Sequence, residues 1–242
     1  MPDGVLIFGT RHLGRAVGRH FAAQGAHVGL VSRDPAHLAR AVAEVGAEGG
    51  QVWGMPGDLT DPGTAARAAT RMIETWGFLH LAVNATAPPF TPRPVPVVDL
   101  DDAALRAGLD TTVWGALRFL QEVGGVMGRA RGGCLVQVGA TAALRVREGF
   151  GALAAAQAAM RALTLAAARE LRPRKVHVAH VVCDGIIESK KTRELALGTG
   201  VEAFLSEADI ANAIDYIFLQ DARAWSHELV LRPSAGEWTA SI

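Results

Sequence analysis

The sequence predicts an α/β domain in which a buried parallel sheet is flanked by helices, and three observations lead there. Short apolar or β-branched runs alternate with longer helical patterns along the chain, the rhythm of repeated βαβ units. Runs such as Val5-Leu6-Ile7-Phe8 and Val176 to Val182 suit strands covered on both faces. No internal repeat and no linker divides the 242 residues, so residues 1–242 are expected to form one domain.

Each element follows from local signals. Val5 to Phe8 is the first strand, and a glycine-containing turn leads into a helix from about Gly14 that Gly25 stops. A strand at Ala26 to Val31, a helix at Pro35 to Val45 and a strand at Gln51 to Met55 come next. Asp61-Pro62 reads as an N-cap followed by proline at the first helical position, opening a helix that runs to Trp76. Phe78 to Val83 is the fourth strand. Between Thr86 and Pro96, Pro88, Pro89, Pro92, Pro94 and Pro96 remove backbone donors and favour extended backbone, so this segment is a loop. Ligands in open parallel sheets sit beyond the carboxyl ends of the strands, and the loop is expected to border such a site or to be a rigid connector. Helices at Asp102 to Met127 and Gly149 to Leu171 flank a strand at Cys134 to Val138. A strand at Val176 to Val182, a helix at Glu207 to Leu219 and a strand at His227 to Leu231 complete the chain. Alanines at Ala152 to Ala159 and Ala166 to Ala168 let a second helix approach closely. The two long helices are therefore an expected homo-dimer or homo-tetramer face, with packing on the sheet as the alternative.

Half of the residues are apolar and a fifth charged, which excludes a disordered polypeptide. The 24 basic and 24 acidic side chains cancel, leaving no global field to attract nucleic acid or an anionic membrane, and neither is an expected partner. Cys134 and Cys183 cannot build a disulfide framework and lack the paired Cys/His spacing of a zinc site, so a reducing, cytoplasmic setting and no metal are expected. The opening apolar run is too short for a signal peptide, and no segment reads as the roughly 20 apolar residues of a membrane helix.

Several motifs stand in a telling order. Gly9-Thr10-Arg11-His12-Leu13-Gly14 follows the first strand, Val31-Ser32-Arg33-Asp34 the second and Gly57-Asp58-Leu59-Thr60-Asp61 the third. Val83-Asn84-Ala85-Thr86, Arg161-Ala162-Leu163-Thr164, Ala168-Arg169-Glu170-Leu171, Val176-His177-Val178 and Asp184-Gly185 come after them. Together these resemble the short-chain dehydrogenase/reductase family over nearly the whole chain. Gly139-Ala140-Thr141-Ala142, the run from His177 to Val182 and the run from Glu228 to Pro233 resemble an atypical bacterial branch of it. The resemblance implies a doubly wound, Rossmann-type sheet and a dinucleotide crevice.

A dinucleotide site needs residues without a Cβ where backbone amides close on a pyrophosphate, which the positive end of the next helix then stabilises. Anchoring the family's three-glycine pattern on Gly14 puts His12 at the second position and Phe8 at the first; using Gly9 as the first requires deleting one residue. The Cβ at His12 restricts close approach, while Arg11, His12 and Arg15 offer direct contact with phosphate. Ser32-Arg33 provides a hydroxyl and a cation where a ribose-binding carboxylate would select NAD, so NADP(H) is the expected cofactor. The resemblance further implies adenine contacts at Asp58 and Leu59, a ribose-side wall at Asn84 and Ala85, nicotinamide contacts at Ile187 and Ser189, and Gly185 as a further cofactor-binding residue. The alternative is a set of fold-maintaining relics around an empty crevice.

The family's hydride transfer uses a tyrosine, a lysine four residues later and a serine thirteen residues before the tyrosine. Those positions fall on Leu153, Gln157 and Ala140, and the family's helix asparagine falls on Asp110. The one tyrosine, Tyr216, and the three lysines, Lys175, Lys190 and Lys191, lie elsewhere in the sequence. Leucine has no proton to give and an amide supplies neither a titrating group nor a fixed charge. Replacement acids and bases are sought in Asp110, expected to face the crevice floor, in Thr141, and in Cys183, Asp184 and Glu188 after the sixth strand; the alternative for Asp110 is a plain hydrogen bond to a backbone group or water within the long helix. A carboxylate in an apolar crevice has its pKa raised. Cys183 reads more readily as a small core residue than as a nucleophile, and His177 and His180, three apart on a strand, point to opposite faces and share no metal.

The expectation is a catalytically silent binding or scaffold protein that takes a small-molecule ligand or pairs with an active homologue. The alternatives are a proton-transfer enzyme (dehydratase, isomerase or cyclase) using Asp110, Thr141 or Asp184, and a weak NADPH-dependent reductase of an activated carbonyl or enone.

Overall fold

A computed structural model describes residues 2–86, 94–195 and 200–235. In chain order it contains β1 (Gly4–Phe8), α1 (His12–Ala22), β2 (His27–Ser32), α2 (Pro35–Gly46), β3 (Val52–Pro56), α3 (Thr64–Trp76) and β4 (Leu81–Asn84). There follow a long helix α4 (residues 102–129), β5 (Gly133–Ala140), α5 (Gly151–Leu171), β6 (Val176–Cys183), β7 (Ile186–Ile187), α6 (Lys190–Leu195), β8 (Phe204–Leu205), α7 (Glu207–Phe218) and β9 (Glu228–Leu231). Seven strands form one parallel sheet in the order β3-β2-β1-β4-β5-β6-β9, with helices on both faces, the doubly wound arrangement expected.

Alternation along the strands explains the two-sided core. Val5 and Ile7 of β1 pack with Val17 and Phe21 of α1 and with Ile210 and Ile214 of α7. Leu6 and Phe8, one residue out of phase, pack on the opposite face with Met72 of α3 and Phe119 of α4. The ring of Phe119 meets that of Phe8 edge to face, with centroids 5.7 Å apart.

The structure departs from the sequence expectations at several points. Helix α3 starts at Thr64 after Gly63, not at Asp61-Pro62. Its free N–H groups are capped from across the fold: Glu122 of α4 accepts from the Gly63 amide at 2.9 Å and from the Ala66 amide at 3.0 Å. Strand β4 begins at Leu81, three residues later than expected, and the small parallel β7–β8 pair was not foreseen. Two-residue strands carry no usable periodicity. Helix α4 contains two π turns, Asp110–Trp114 and Phe119–Val123, which rotate its later residues relative to a regular helix.

Helix α5 is long and apolar enough to pass as a membrane span by composition, which corrects the earlier length argument. It packs on β6 and β5, and Ala154, Ala156, Gln157, Met160, Thr164, Ala167 and Ala168 are buried, so it is a core helix. Of the proline-rich loop, residues 87–93 and hence Pro88, Pro89 and Pro92 lie outside the described residues.

Candidate functional site

Strand register gathers the chemistry at one edge. Phe8 at the end of β1 lies level with Val31 and Asn84, Asn84 with Gln137, and Ala140 with Cys183, so the loops after β1, β2, β4, β5 and β6 rim a common cleft. The strand order reverses between β1 and β4, which opens a crevice there. Its volume is about 760 Å³, within the range of small-molecule and cofactor sites.

One end is built by the loop between β1 and α1. Gly9 has φ +90° and a Cβ there would lie 2.8 Å from the Ala85 carbonyl, while a Cβ on Gly14 would lie 1.7 Å from the Gly9 carbonyl. Gly9 therefore takes the first-glycine place and Gly14 the third, in a turn one residue short; Phe8 is strand core. Gly9, Thr10, Arg11, His12 and Leu13 line the cleft, and Gly14 is buried behind them. Arg11, the N-cap residue of α1, provides no side-chain cap, so the first amides of α1 have no carboxylate or hydroxyl from that residue. Thr10 is 2% exposed, lines the cleft, and its hydroxyl has no hydrogen-bond partner among the described residues. An uncapped helix start and an unsatisfied buried hydroxyl on the same wall suit an anionic group.

At the other end, Ser32, Arg33, Asp34, His37, Asp58 and Leu59 line the cleft. Burial raises the Asp58 carboxyl, but the Thr60 amide and hydroxyl donate to it at 2.9 and 2.8 Å and Arg33 lies 3.2 Å away, and these contacts hold it below the usual carboxylate range. Asn84 does not line the cleft. It is 1% exposed, donates to Gln137 at 3.0 Å and accepts from the Thr86 amide and hydroxyl at 3.1 and 2.7 Å, which shapes the loop that places Ala85 on the wall.

The floor carries Gly139, Ala140, Gln157 and Cys183, with Gly185, Ile187 and Ser189 beyond. Gln157 is buried and its Oε1 accepts from the Ala140 amide at 3.0 Å. Leu153, one turn earlier on α5, is half-buried and does not line the cleft. Among the described lining residues there is no tyrosine and no lysine; Tyr216 is 60% exposed on α7. Burial pushes the Cys183 thiol up to about 12, so it stays protonated at neutral pH.

The replacement acids and bases are not where the sequence placed them. Asp110, the first residue of a π turn, is exposed and outside the cleft lining; its neighbour Thr111 lines the wall and Thr112 is buried. Asp184 does not line the cleft either. Burial raises its carboxyl, but Arg145, Arg232 and Thr141 donate to it and together hold it below the usual carboxylate range, the opposite of the raised value expected. The Thr141 hydroxyl also lies 3.4 Å from the Cys183 carbonyl.

Sequence reasoning missed Thr111, His37 and Glu207, all of which line the cleft. Local pattern carries no signal for them, since a π turn, an exposed helix position and a helix start on a distant element bring them there.

A family model described as enoyl-(acyl carrier protein) reductase matches residues 8–214. The 2,3-dihydro-2,3-dihydroxybenzoate dehydrogenase of Bacillus subtilis is 29% identical over 160 residues, 65% of this chain and 60% of that protein, so the match spans less than two thirds of that relative. The short-chain reductase protein NovJ of Streptomyces niveus is 27% identical over 231 residues, 95% of this chain and 86% of that protein. A metagenomic short-chain oxidoreductase solved in complex with NADP shares the fold at a TM-score of 0.79 and 23% identity, covering 96% of this chain and 98% of that one.

Proposed function

Because the chain belongs to the short-chain dehydrogenase/reductase family, we propose that it binds NADP(H) in the cleft and holds it, or a small-molecule ligand beside it, without the family's fast acid–base chemistry. The observation that carries this reading is Gln157. Its carboxamide stands on the cleft floor bound to the Ala140 amide, with a methyl at Ala140 and an aliphatic side chain at Leu153. When bound, NADP(H) supplies a hydride donor or acceptor; among the described residues, no lining side chain on this floor is a phenol or an ammonium that moves a proton to match it.

The residues present fit the cofactor. The amides at the start of α1 and the Thr10 hydroxyl suit the pyrophosphate, and Ser32, Arg33 and His37 suit a 2′-phosphate. Proton-transfer chemistry is less well supported, because Asp110 faces solvent and Asp184 is held ionised by two guanidinium groups. The reading includes self-association, or pairing with an active homologue, through α4 and α5, where Trp114 is 49% exposed; molar mass in solution checks it.

Titration of the pure protein with NADPH, followed by fluorescence, is expected to saturate, and Arg33→Ala is expected to weaken NADP⁺ relative to NAD⁺ by roughly tenfold or more, the scale of a hydrogen bond to a charged group. Carbonyl-dependent NADPH oxidation is expected to be negligible in the natural sequence and to appear when Ala140→Ser, Leu153→Tyr and Gln157→Lys are combined. Vigorous turnover by the natural sequence would refute the reading.

A further inference from the structure

A row of polar residues crosses the sheet just beneath the cleft floor. Strand register sets Asn84 of β4, Gln137 of β5, His180 of β6 and Glu228 of β9 level with one another, and the first three are at most 1% exposed. Parallel strands covered on both faces are ordinarily apolar, and a buried polar group is costly unless it is hydrogen-bonded. Asn84 donates to Gln137 at 3.0 Å. In the other half of the row, His180 Nδ1 lies 3.4 Å from Glu228 Oε2, and Arg161 of α5 donates through Nε and Nη2 to both oxygens of that carboxylate. Burial pushes the His180 imidazole below its usual range against the pull of Glu228, and Arg161 holds the Glu228 carboxyl below its own. A neutral ring beside an ionised carboxylate carries its proton on Nδ1, which leaves Nε2 as a bare acceptor.

That Nε2 has no partner among the described residues, and it is aimed at the floor. A Cβ on Gly139, which lines the cleft, would lie 2.2 Å from His180 Nε2 and 3.1 Å from Gln157 Oε1. The ring therefore takes the place of a side chain at 139 and bears on the main chain that carries the Ala140 amide. That amide donates to Gln157 Oε1 at 3.0 Å. Gln157 and Arg161 are four apart on α5 and share a helix face. The contacts thus close on themselves, from Arg161 through Glu228, His180, Gly139 and Ala140 back to Gln157. With Oε1 turned to the strand, the amino group of Gln157 is the end left for the cleft.

We propose that His180, held by Glu228 and Arg161, is a positioning residue that fixes the Gln157 carboxamide with its amino group toward the cleft, so that the floor offers a hydrogen-bond donor to an acceptor oxygen of the bound ligand. None of the three lines the cleft, so they act through the main chain of β5 and through α5. The inference goes beyond the NADP(H) reading and rests on it only for the ligand used as a probe.

The test compares the natural sequence with His180→Phe, Glu228→Leu and Glu228→Gln. Phenylalanine keeps a ring behind Gly139 without either nitrogen, leucine removes the carboxylate, and glutamine keeps an oxygen for His180 and Arg161. Arg161→Met, at a side chain 35% exposed, takes the place of a core variant that fails to fold. Two-dimensional nitrogen–proton NMR of the ligand-free protein reads the carboxamide directly, its signal pair assigned by its loss in Gln157→Leu. The pair is expected to stand apart from free glutamine in the natural sequence and in Glu228→Gln, and to fall back to free-glutamine positions in His180→Phe, Glu228→Leu and Arg161→Met. Calorimetry is run with NADP⁺ and with 2′,5′-ADP, which lacks the nicotinamide half. NADP⁺ is expected to bind about tenfold more weakly to those three variants, the scale of one hydrogen bond, and 2′,5′-ADP to bind them unchanged; a general loss of structure would weaken both ligands. If the amide pair stays where it is in the variants, or both ligands weaken equally, the positioning role is wrong while the NADP(H) reading stands. If the natural sequence binds neither ligand, the NADP(H) reading is wrong and the amide spectrum alone decides the positioning role.

Discussion

Gly14→Ala is expected to destabilise the protein by about 3 kcal/mol, the upper part of the range for an overpacked core, and to abolish NADP⁺ binding in calorimetry. A Cβ on Gly14 would sit 1.7 Å from the Gly9 carbonyl and 3.3 Å from Ile7, so α1 must slide away from β1. The Gly9 carbonyl cannot yield alone, because Gly9 holds φ +90° and its amide donates to the Val31 carbonyl at 2.9 Å. Moving α1 also shifts its first amides and the Thr10 hydroxyl, the groups assigned to phosphate. Gly115→Ala is the matched control. It is a helical glycine whose added Cβ meets only Leu59, at 3.9 Å, so this change is expected to be neutral or stabilising by about 0.5–1 kcal/mol through helix propensity. Urea denaturation of the two variants side by side measures the contrast; equal midpoints would show that the tight β1–α1 contact does not govern this end of the cleft.

Asp184→Asn is the second large effect, a loss of about 3 kcal/mol at neutral pH, the lower end for breaking a buried ion pair. Two guanidinium groups converge on one carboxylate that is 5% exposed: Arg232 donates through Nε at 2.7 Å and through Nη2, and Arg145 through Nη2. Asparagine leaves both cations facing a neutral amide. The pH dependence follows from the direction of the shift. Burial pushes the Asp184 carboxyl up, the donors from Arg145, Arg232 and Thr141 pull it down further, and the folded value lies below the unfolded one. The contribution is therefore complete above the unfolded value, about 4, and is lost as pH falls through the folded value. Unfolding free energies of the two proteins should differ most at pH 7 and converge in acid. A difference unchanged down to pH 3 would mean that packing, not charge, is what the substitution removes.

Much of the fold was legible in the order of residues. The apolar runs of β1, β2, β5 and β6, the long patterns of α4 and α5 and the glycines after β1 were found within a few residues, because strand and helix periodicity and turn chemistry act over three or four neighbours. The α3 start was misplaced for the complementary reason. Asp61-Pro62 carries a sound local cap signal, and Glu122, almost sixty residues away, overrides it.

The candidate site divides along the same line. That Ala140, Leu153 and Gln157 occupy their positions, and that the second strand ends in Ser32-Arg33 rather than a carboxylate, are matters of residue identity and spacing, which pattern alone decides. Which groups meet in the cleft was decided by the packed fold. Asp110 stands in solvent at the start of a π turn while Thr111 lies on the wall, Arg145 and Arg232 reached Asp184 from separate loops and lowered a carboxyl expected to be raised, and α7 carried Glu207 to His12. Charge and hydrogen bonding act through space over a few ångströms, and residues that close can lie 195 positions apart in the chain, as His12 and Glu207 do.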